Sequence, residues 1–177
     1  MTFAPVACSG NQGISVGPTY TEAGFNITAP DLATWCTGAA HYAGSNLFMN
    51  FANTTGVLTK VGGSTFSINS IDLAHVYAGS YGAQSYTFTG NVFGGGQVFD
   101  TFTIAAQNGT PVFQTFNFSA GFTNLTSVDL ASQDPNYYQY SNIKLDAVTA
   151  TPEPASMMLV ATGLLGVFGV ARRKQKA

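Results

Sequence analysis

Between turn-forming residues, apolar side chains recur at every second position through most of the first 148 residues. In TYTEAGFNIT (19–28) Phe25 and Ile27 fall on one face, and in SNLFMNF (45–51) Leu47, Met49 and Phe51 do the same. FSINSIDLAHVYA (66–78) alternates through Phe66 and Ile68 and then changes phase to Ile71 and Leu73, which predicts a bulge or corner near Asn69-Ser70. SYTFTG (85–90) alternates Tyr86 and Phe88. After a Gly94-Gly95-Gly96 turn, QVFDTFTI (97–104) keeps Val98, Asp100, Phe102 and Ile104 in one register. Asn108-Gly109 signals a hairpin leading into PVFQTFNFS (111–119). TSVDLAS (126–132) and YYQYSNIKLDAV (137–148) complete the series. Period two is the period of a half-buried strand. Some eight or nine strands, at roughly ten-residue spacing, predict an all-β fold: an antiparallel β-sandwich or jelly-roll-like domain over residues 1–148. The one helical-looking piece is PDLATWC (30–36), where Asp31 is placed to cap a single turn.

Composition agrees with that pattern and narrows the function. The body is rich in Gly, Thr, Ser, Asn, Phe and Tyr and poor in the Lys, Glu and Arg that make solvent-facing helices. Before Ala150 it carries Lys60 and Lys144 against Glu22, Asp31, Asp72, Asp100, Asp129, Asp134 and Asp146, a net charge of −5. Two cations in an acidic body cannot neutralise a row of phosphates, so nucleic acid is excluded as a partner. Cys8 and Cys36 are the only cysteines, and in an oxidising compartment they could close a disulfide or remain two separate thiols. Their spacing matches no zinc motif, so no metal and no cofactor is expected.

The final 27 residues follow a different rule. Four of the six Lys and Arg lie within the last six positions, and from Ala155 to Ala171 every residue is apolar, small or hydroxylic. As a helix that run would span about 25 Å at 1.5 Å per residue, the short end of what crosses a hydrocarbon core. Pro154 suits a first helical turn, and Glu153 sits at the positive end of the helix dipole. Arg172, Arg173, Lys174 and Lys176 form a basic stop expected to stay cytoplasmic, with the body outside. The organisation expected is therefore an ectodomain over 1–148, a linker over 149–153 and an anchor segment over 152–177. Its transmembrane helix covers about 155–171 and its basic tail 172–176.

Pro152-Glu153-Pro154, then the apolar run, then Arg172-Arg173-Lys174 at the chain's end resembles the PEP-CTERM protein-sorting signal, a tail type also named the ice-binding protein C-terminal domain. The resemblance covers about 27 residues, and Thr151 stands where the family often has Val. It implies a Gram-negative exporter whose inner-membrane exosortase recognises the tail and cleaves near Pro152-Glu153-Pro154. The protein would be held transiently in the inner membrane, then sent to the periplasm, cell surface or extracellular matrix. Family members are associated with exopolysaccharide and biofilm, which makes exopolysaccharide an expected partner. The run from 114 to 145 also loosely resembles closing strands of β-sandwich ectodomains that carry this tail, with Ser141-Asn142-Ile143 where those often have Asp-Asn-Ile. Export calls for a leader that MTFAPVACSGNQG does not supply, so the expected reading is a start downstream of the true one, the alternative being that the C-terminal span acts as a tail anchor.

No catalytic residue is expected. His75, Asp72 and a serine could be drawn as a triad, but no spacing selects them and no GxSxG is present. Asp134, Asn136, Asn142 and Asp146 could approach a cation, yet Asp134-Pro135-Asn136 reads first as a turn. Ice binding would need flat Thr arrays on a regular repeat; Thr87 and Thr89 alternate, as do Thr101 and Thr103, but no repeat extends them. Glycan contact would use exposed rings, for which Trp35, Tyr137, Tyr138 and Tyr140 are eligible; Tyr137, Tyr138 and Tyr140 cannot all face inward along one strand. The expected function is an exported structural or interaction protein of the envelope and its exopolysaccharide. A carbohydrate-binding module is the alternative and a secreted hydrolase the remote one.

Overall fold

The computed structural model describes residues 1–49, 54–131 and 137–147. Among them the strands are β1 (Gly13–Glu22), β2 (Phe25–Trp35), β3 (Leu47–Met49), β4 (Thr55–Lys60), β5 (Phe66–His75) and β6 (Gly79–Tyr81). They continue with β7 (Gln84–Val92), β8 (Gln97–Ile104), β9 (Gln107–Gly109), β10 (Gln114–Asn117), β11 (Leu125–Ala131) and β12 (Tyr138–Ala147). All their pairings are antiparallel. The helical content of the described residues is one 3-10 turn, Ala4–Val6.

The main sheet runs β10-β5-β12-β3-β2-β4-β11-β7-β8, with β1 on the remaining edge of β2, while β6 and β9 pair with each other. It does not stay open. β11 also meets β5, with Leu125 opposite Phe66 and the Ile68 amide donating to the Phe122 carbonyl at 3.1 Å. The path β5-β12-β3-β2-β4-β11 thereby returns to its start. The all-β antiparallel expectation holds, in the form of a barrel- or sandwich-like sheet whose two halves meet where β11 reaches β5. Inside it pack Ile27, Leu47, Leu58, Phe66, Ile71, Leu73, Phe88, Leu125, Val128 and Leu130, each with no exposed surface. Each such residue contributes about 1.5–3 kcal/mol of burial, set against the entropy of ordering the chain.

Alternation sends the opposite set outward. Thr21, Asn26, Thr59, Ser127, Asn91 and Gln97 line up across six strands, and Thr19, Thr28, Val57, Asp129, Thr89 and Phe99 form the adjacent row. Asp129 is the one charge in either row. Hydroxyls pair across β7 and β8, Ser85 with Thr103 at 2.7 Å and Thr87 with Thr101 at 2.8 Å.

Several local expectations are revised. The segment 30–36 does not turn into a helix: through Trp35 it belongs to β2, and the Asp31 carboxylate accepts from Ser15 of β1 at 2.6 Å instead of capping. Pro30 is tolerated because the β1–β2 register shifts there, between Gly17 opposite Leu32 and Thr19 opposite Thr28. The run 19–28 is two strands joined by Ala23-Gly24, both at positive φ (52° and 80°), a two-residue turn whose twist suits a hairpin. Asn108-Gly109 is not a hairpin tip but part of β9, against Ser80 and Gly79. The irregularity expected near Asn69-Ser70 is present: Ser70 faces Lys144 and Ile68 faces Leu145, leaving Asn69 as the extra residue.

The first residues are built into this fold. The Met1 amino group donates to the Ile143 carbonyl at 2.7 Å, and the Ile143 amide donates back to Met1 at 3.0 Å. Phe3 is buried against Tyr20 and Tyr140, with ring centroids 5.3 and 5.7 Å away. Glu22 at the end of β1 clamps the segment, accepting from the Thr2 amide, the Thr2 hydroxyl, the Phe3 amide and the Tyr20 hydroxyl at 2.9–3.0 Å. Partial burial pushes the Glu22 carboxyl upward, but the donors from Thr2, Phe3 and Tyr20 together outweigh it and hold the group below its ordinary range. A depressed folded-state pKa gives stability that is full above the ordinary glutamate range and is lost as pH falls through the folded value. Acid titration of the melting temperature should therefore show a loss that Glu22→Gln flattens, the variant being less stable at neutral pH. An unchanged acid slope in Glu22→Gln would remove Glu22 from this role.

Candidate functional site

Strand registers give the closed sheet two distinct ends. Trp35 pairs with Gly13, His75 with Tyr138 and Phe48 with Gln139, so the C-terminal ends of β2 and β5 and the start of β12 share one end. The site develops there, over a second small core of Ala33, Phe48 and Val76 against which Trp35 and Tyr137 pack.

Trp35 is its centre. Phe48 stacks on the indole at 5.3 Å and 20°, His41 lies 4.6 Å away, and Tyr77 meets it edge-on at 6.0 Å. Tyr77 continues the cluster to His41 at 5.4 Å and Tyr137 at 6.3 Å. A cleft of about 190 Å3 opens beside these rings, lined by Gly13, Ile14, Ser15, Ala33, Trp35, Phe48 and Tyr77. The lining includes no charged side chain. Tyr77 is 39% exposed, and burial first, then the phenols of Tyr137 and Tyr81, push its hydroxyl above the usual tyrosine range. It therefore remains a neutral donor and acceptor. The Trp35 Nε1 atom is buried and finds no hydrogen-bond partner among the described residues. Leaving such a donor unpaired costs about 1–3 kcal/mol.

The surroundings fix these rings from several directions. Asn46, fully buried, accepts from the Trp35 amide at 3.0 Å and donates to the Gly44 carbonyl at 2.7 Å. Gln139 donates to the carbonyls of His41 and His75, both at 2.8 Å. The Ala78 amide donates to His41 Nδ1 at 2.7 Å, so the ring's own N–H lies at Nε2. Cys8 and Cys36 are joined in a disulfide at 2.04 Å, tying the residue after Trp35 to the N-terminal segment. Beside it the Gly38 amide donates to the Gly10 carbonyl at 2.8 Å, and a Cβ at Gly38 would lie 2.7 Å from that oxygen, so only glycine permits the approach.

Of the four rings expected to be available for glycan contact, the structure brings Trp35 and Tyr137 to this end and withdraws the other two. Tyr138 and Tyr140 are 2% and 0% exposed and belong to the main core, where Tyr138 packs on Tyr86 at 4.5 Å. The premise that the three tyrosines cannot all point inward holds, but Tyr137 is the ring that turns away. The Tyr138 and Tyr140 hydroxyls have no partner among the described residues, and burial raises both far above the usual range. Tyr140→Phe should leave stability unchanged or raise it by about 1 kcal/mol, because it deletes an unsatisfied hydroxyl and keeps the ring. A large loss on denaturant unfolding would show that the hydroxyl has a partner. Tyr77, His41, Phe48 and Gly13 went unmarked in the sequence, since their contacts join four separate segments.

The paper triad is not assembled. Asp72 accepts from Thr115 at 2.6 Å and Asn142 at 2.7 Å, while His75 is buried, stacked on Tyr81 and paired with the Ala105 carbonyl at 3.0 Å. Asn142 is thus committed to Asp72 and Asp146 accepts from Asn69 at 2.7 Å, while Asp134 and Asn136 lie outside the described residues. Among the described residues no group of three His, Cys, Asp or Glu could hold a metal ion.

Gly13 offers a direct probe of the indole. A Cβ there would sit 3.0 and 3.1 Å from Trp35 Cζ3 and Cε3, at a backbone conformation open to any residue. Gly13→Ala should therefore move the ring and change the emission of the chain's single tryptophan while the β-sheet circular dichroism stays the same. Identical emission in the variant would show that the ring does not rest on Gly13.

The linker over 149–153, the helix expected over 155–171, the motif Pro152, Glu153 and Pro154, and the basic residues Arg172, Arg173, Lys174 and Lys176 all lie outside the described residues. Among the described residues no helix is long and apolar enough to cross a membrane. The tail is identified by comparison instead: residues 150–174 match the family model for the PEP-CTERM protein-sorting motif. The chain carries that signal, which marks a protein sorted by an exosortase across the membrane to the cell envelope or the extracellular space. No curated protein and no solved structure matches the chain.

Proposed function

We propose that this is a non-enzymatic envelope protein whose closed β-sheet binds a neutral extracellular polysaccharide through the aromatic end around Trp35 and Tyr77. The tail holds it in the inner membrane, with its basic end cytoplasmic, until the exosortase cleaves near Pro152-Glu153-Pro154 and releases the body into the exopolysaccharide matrix. The observation that carries the binding role is the Trp35 ring lining an uncharged cleft, next to a partly exposed tyrosine. Apolar C–H faces of sugars pack on aromatic rings, and their hydroxyls answer polar groups such as the Tyr77 hydroxyl at the rim. The ligand is neutral on two grounds: the lining has no cation to pair with an acidic sugar, and the body's net charge of −5 repels polyanions.

Emission of Trp35 reports on this directly. Titration with neutral oligosaccharides, and with polysaccharide from the native host, should give a saturable change in emission. Tyr77→Ala should weaken binding by about tenfold or more, the scale of a stacking anchor, with the fold unchanged by circular dichroism. Absence of binding across neutral glycans, or full affinity in Tyr77→Ala, would overturn the assignment.

A further inference from the structure

The end opposite the aromatic cleft carries features that the binding role does not use. Ala147 pairs with Phe66, Phe66 with Leu125, and Leu125 with Val92, a single cross-strand line over four strands. At spacings of about 4.8 Å, that line places the departure point of the chain about 14 Å from Val92 along the sheet. The next residue, Phe93, donates its amide to the Asn124 carbonyl at 2.9 Å and leaves 63% of its surface exposed. On the neighbouring turn Val61 donates to the Gly24 carbonyl at 2.9 Å and is 50% exposed. All four loops at this end, residues 23–24, 61–65, 93–96 and 119–124, lack any charged side chain. Beside them stand Lys60 at the end of β4, Glu22 at the end of β1, Asp146 next to Ala147, and Asp100, which accepts from the Ser119 amide at 2.7 Å.

The length of chain beyond Ala147 says what such an end faces. The sorting motif begins at residue 150 and the apolar run at Ala155. Eight residues reach at most about 28 Å fully extended, and less in any folded form, so the body cannot stand far from whatever receives that run. Large apolar tips on uncharged loops lose little on entering a lipid headgroup region, where aromatic side chains concentrate.

We propose that this end of the body rests on the bilayer surface while the tail is engaged, with Phe93 and Val61 inserted at the boundary between headgroups and acyl chains. The inference rests on the membrane-spanning reading of the tail given under Proposed function. It orients the protein: the cleft around Trp35 points away from the membrane.

The test uses the full chain in vesicles of phosphatidylcholine and phosphatidylglycerol, with and without acyl-chain bromination. Trp35, the chain's single tryptophan, sits at the far end and serves as the baseline. Phe93→Trp should add a blue-shifted emission that falls by about half in brominated vesicles, as for a ring about 5–10 Å into the boundary. Val61→Trp should behave alike, whereas Trp35 and Phe99→Trp, on the 59% exposed outer face, should not respond to bromine. Circular dichroism matching the parent chain establishes that each variant is folded. If the chain floats with vesicles and the added emission is unquenched, the end is not lipid-facing, and cross-linking through it to a protein or a second copy would identify the true occupant. If the chain does not float at all, the membrane reading of the tail fails first and this inference falls with it.

Discussion

The backbone contact between β5 and β11, with Leu125 opposite Phe66, converts a ribbon of strands into an enclosure. A sheet of this length left flat would expose the apolar face that alternation builds into it. Closing on β5 buries the face and makes β5 a shared wall, with β12 and β10 on its two sides and β11 at its lower end. The same closure defines two ends, and the functional reading depends on their difference. One end carries rings and a disulfide; at the other, short uncharged turns surround the chain's departure.

The periodicity of the sequence carried the layer structure well because alternation is a local property. Leu58, Phe88, Val128 and Leu130 face inward and Thr59, Thr87, Ser127 and Asp129 face outward in strict alternation. Features set by distant partners were hidden. Ala23-Gly24 is not a strong turn signal, and only the pairing of Glu22 with Phe25 reveals the reversal. PDLATW lacked a strand's rhythm because Pro30 falls where the register slips, and tertiary pairing with β1 overrode the local cap. At the site, Trp35 and Tyr137 were visible as rings, but their meeting with Tyr77 and His41 required the fold. Tyr138 and Tyr140 looked equally eligible, since adjacent residues on a strand differ only in which face they take.

The last described strand, β12, ends at the pole opposite the aromatic cleft. The signal at residues 150–174 follows the last described strand residue by only a few positions, so little spacer separates the body from its sorting tail. The disulfide between Cys8 and Cys36 suits an oxidising compartment outside the cytoplasm and braces the end that carries the aromatic cleft. With the N-terminal segment clamped by Glu22 and buried at Phe3, the body depends on pieces drawn from its whole length.

The rows of Thr, Ser and Asn across β1, β2, β4, β11, β7 and β8 have a consequence for life outside the cell. Such a coat attracts water through fixed hydroxyl and amide dipoles rather than through ions. Added electrolyte, which shortens the reach of charged groups, finds almost nothing there to screen. Its wetting should therefore vary little between brine and fresh water, an advantage at a cell surface or in an extracellular space whose salinity the cell does not control.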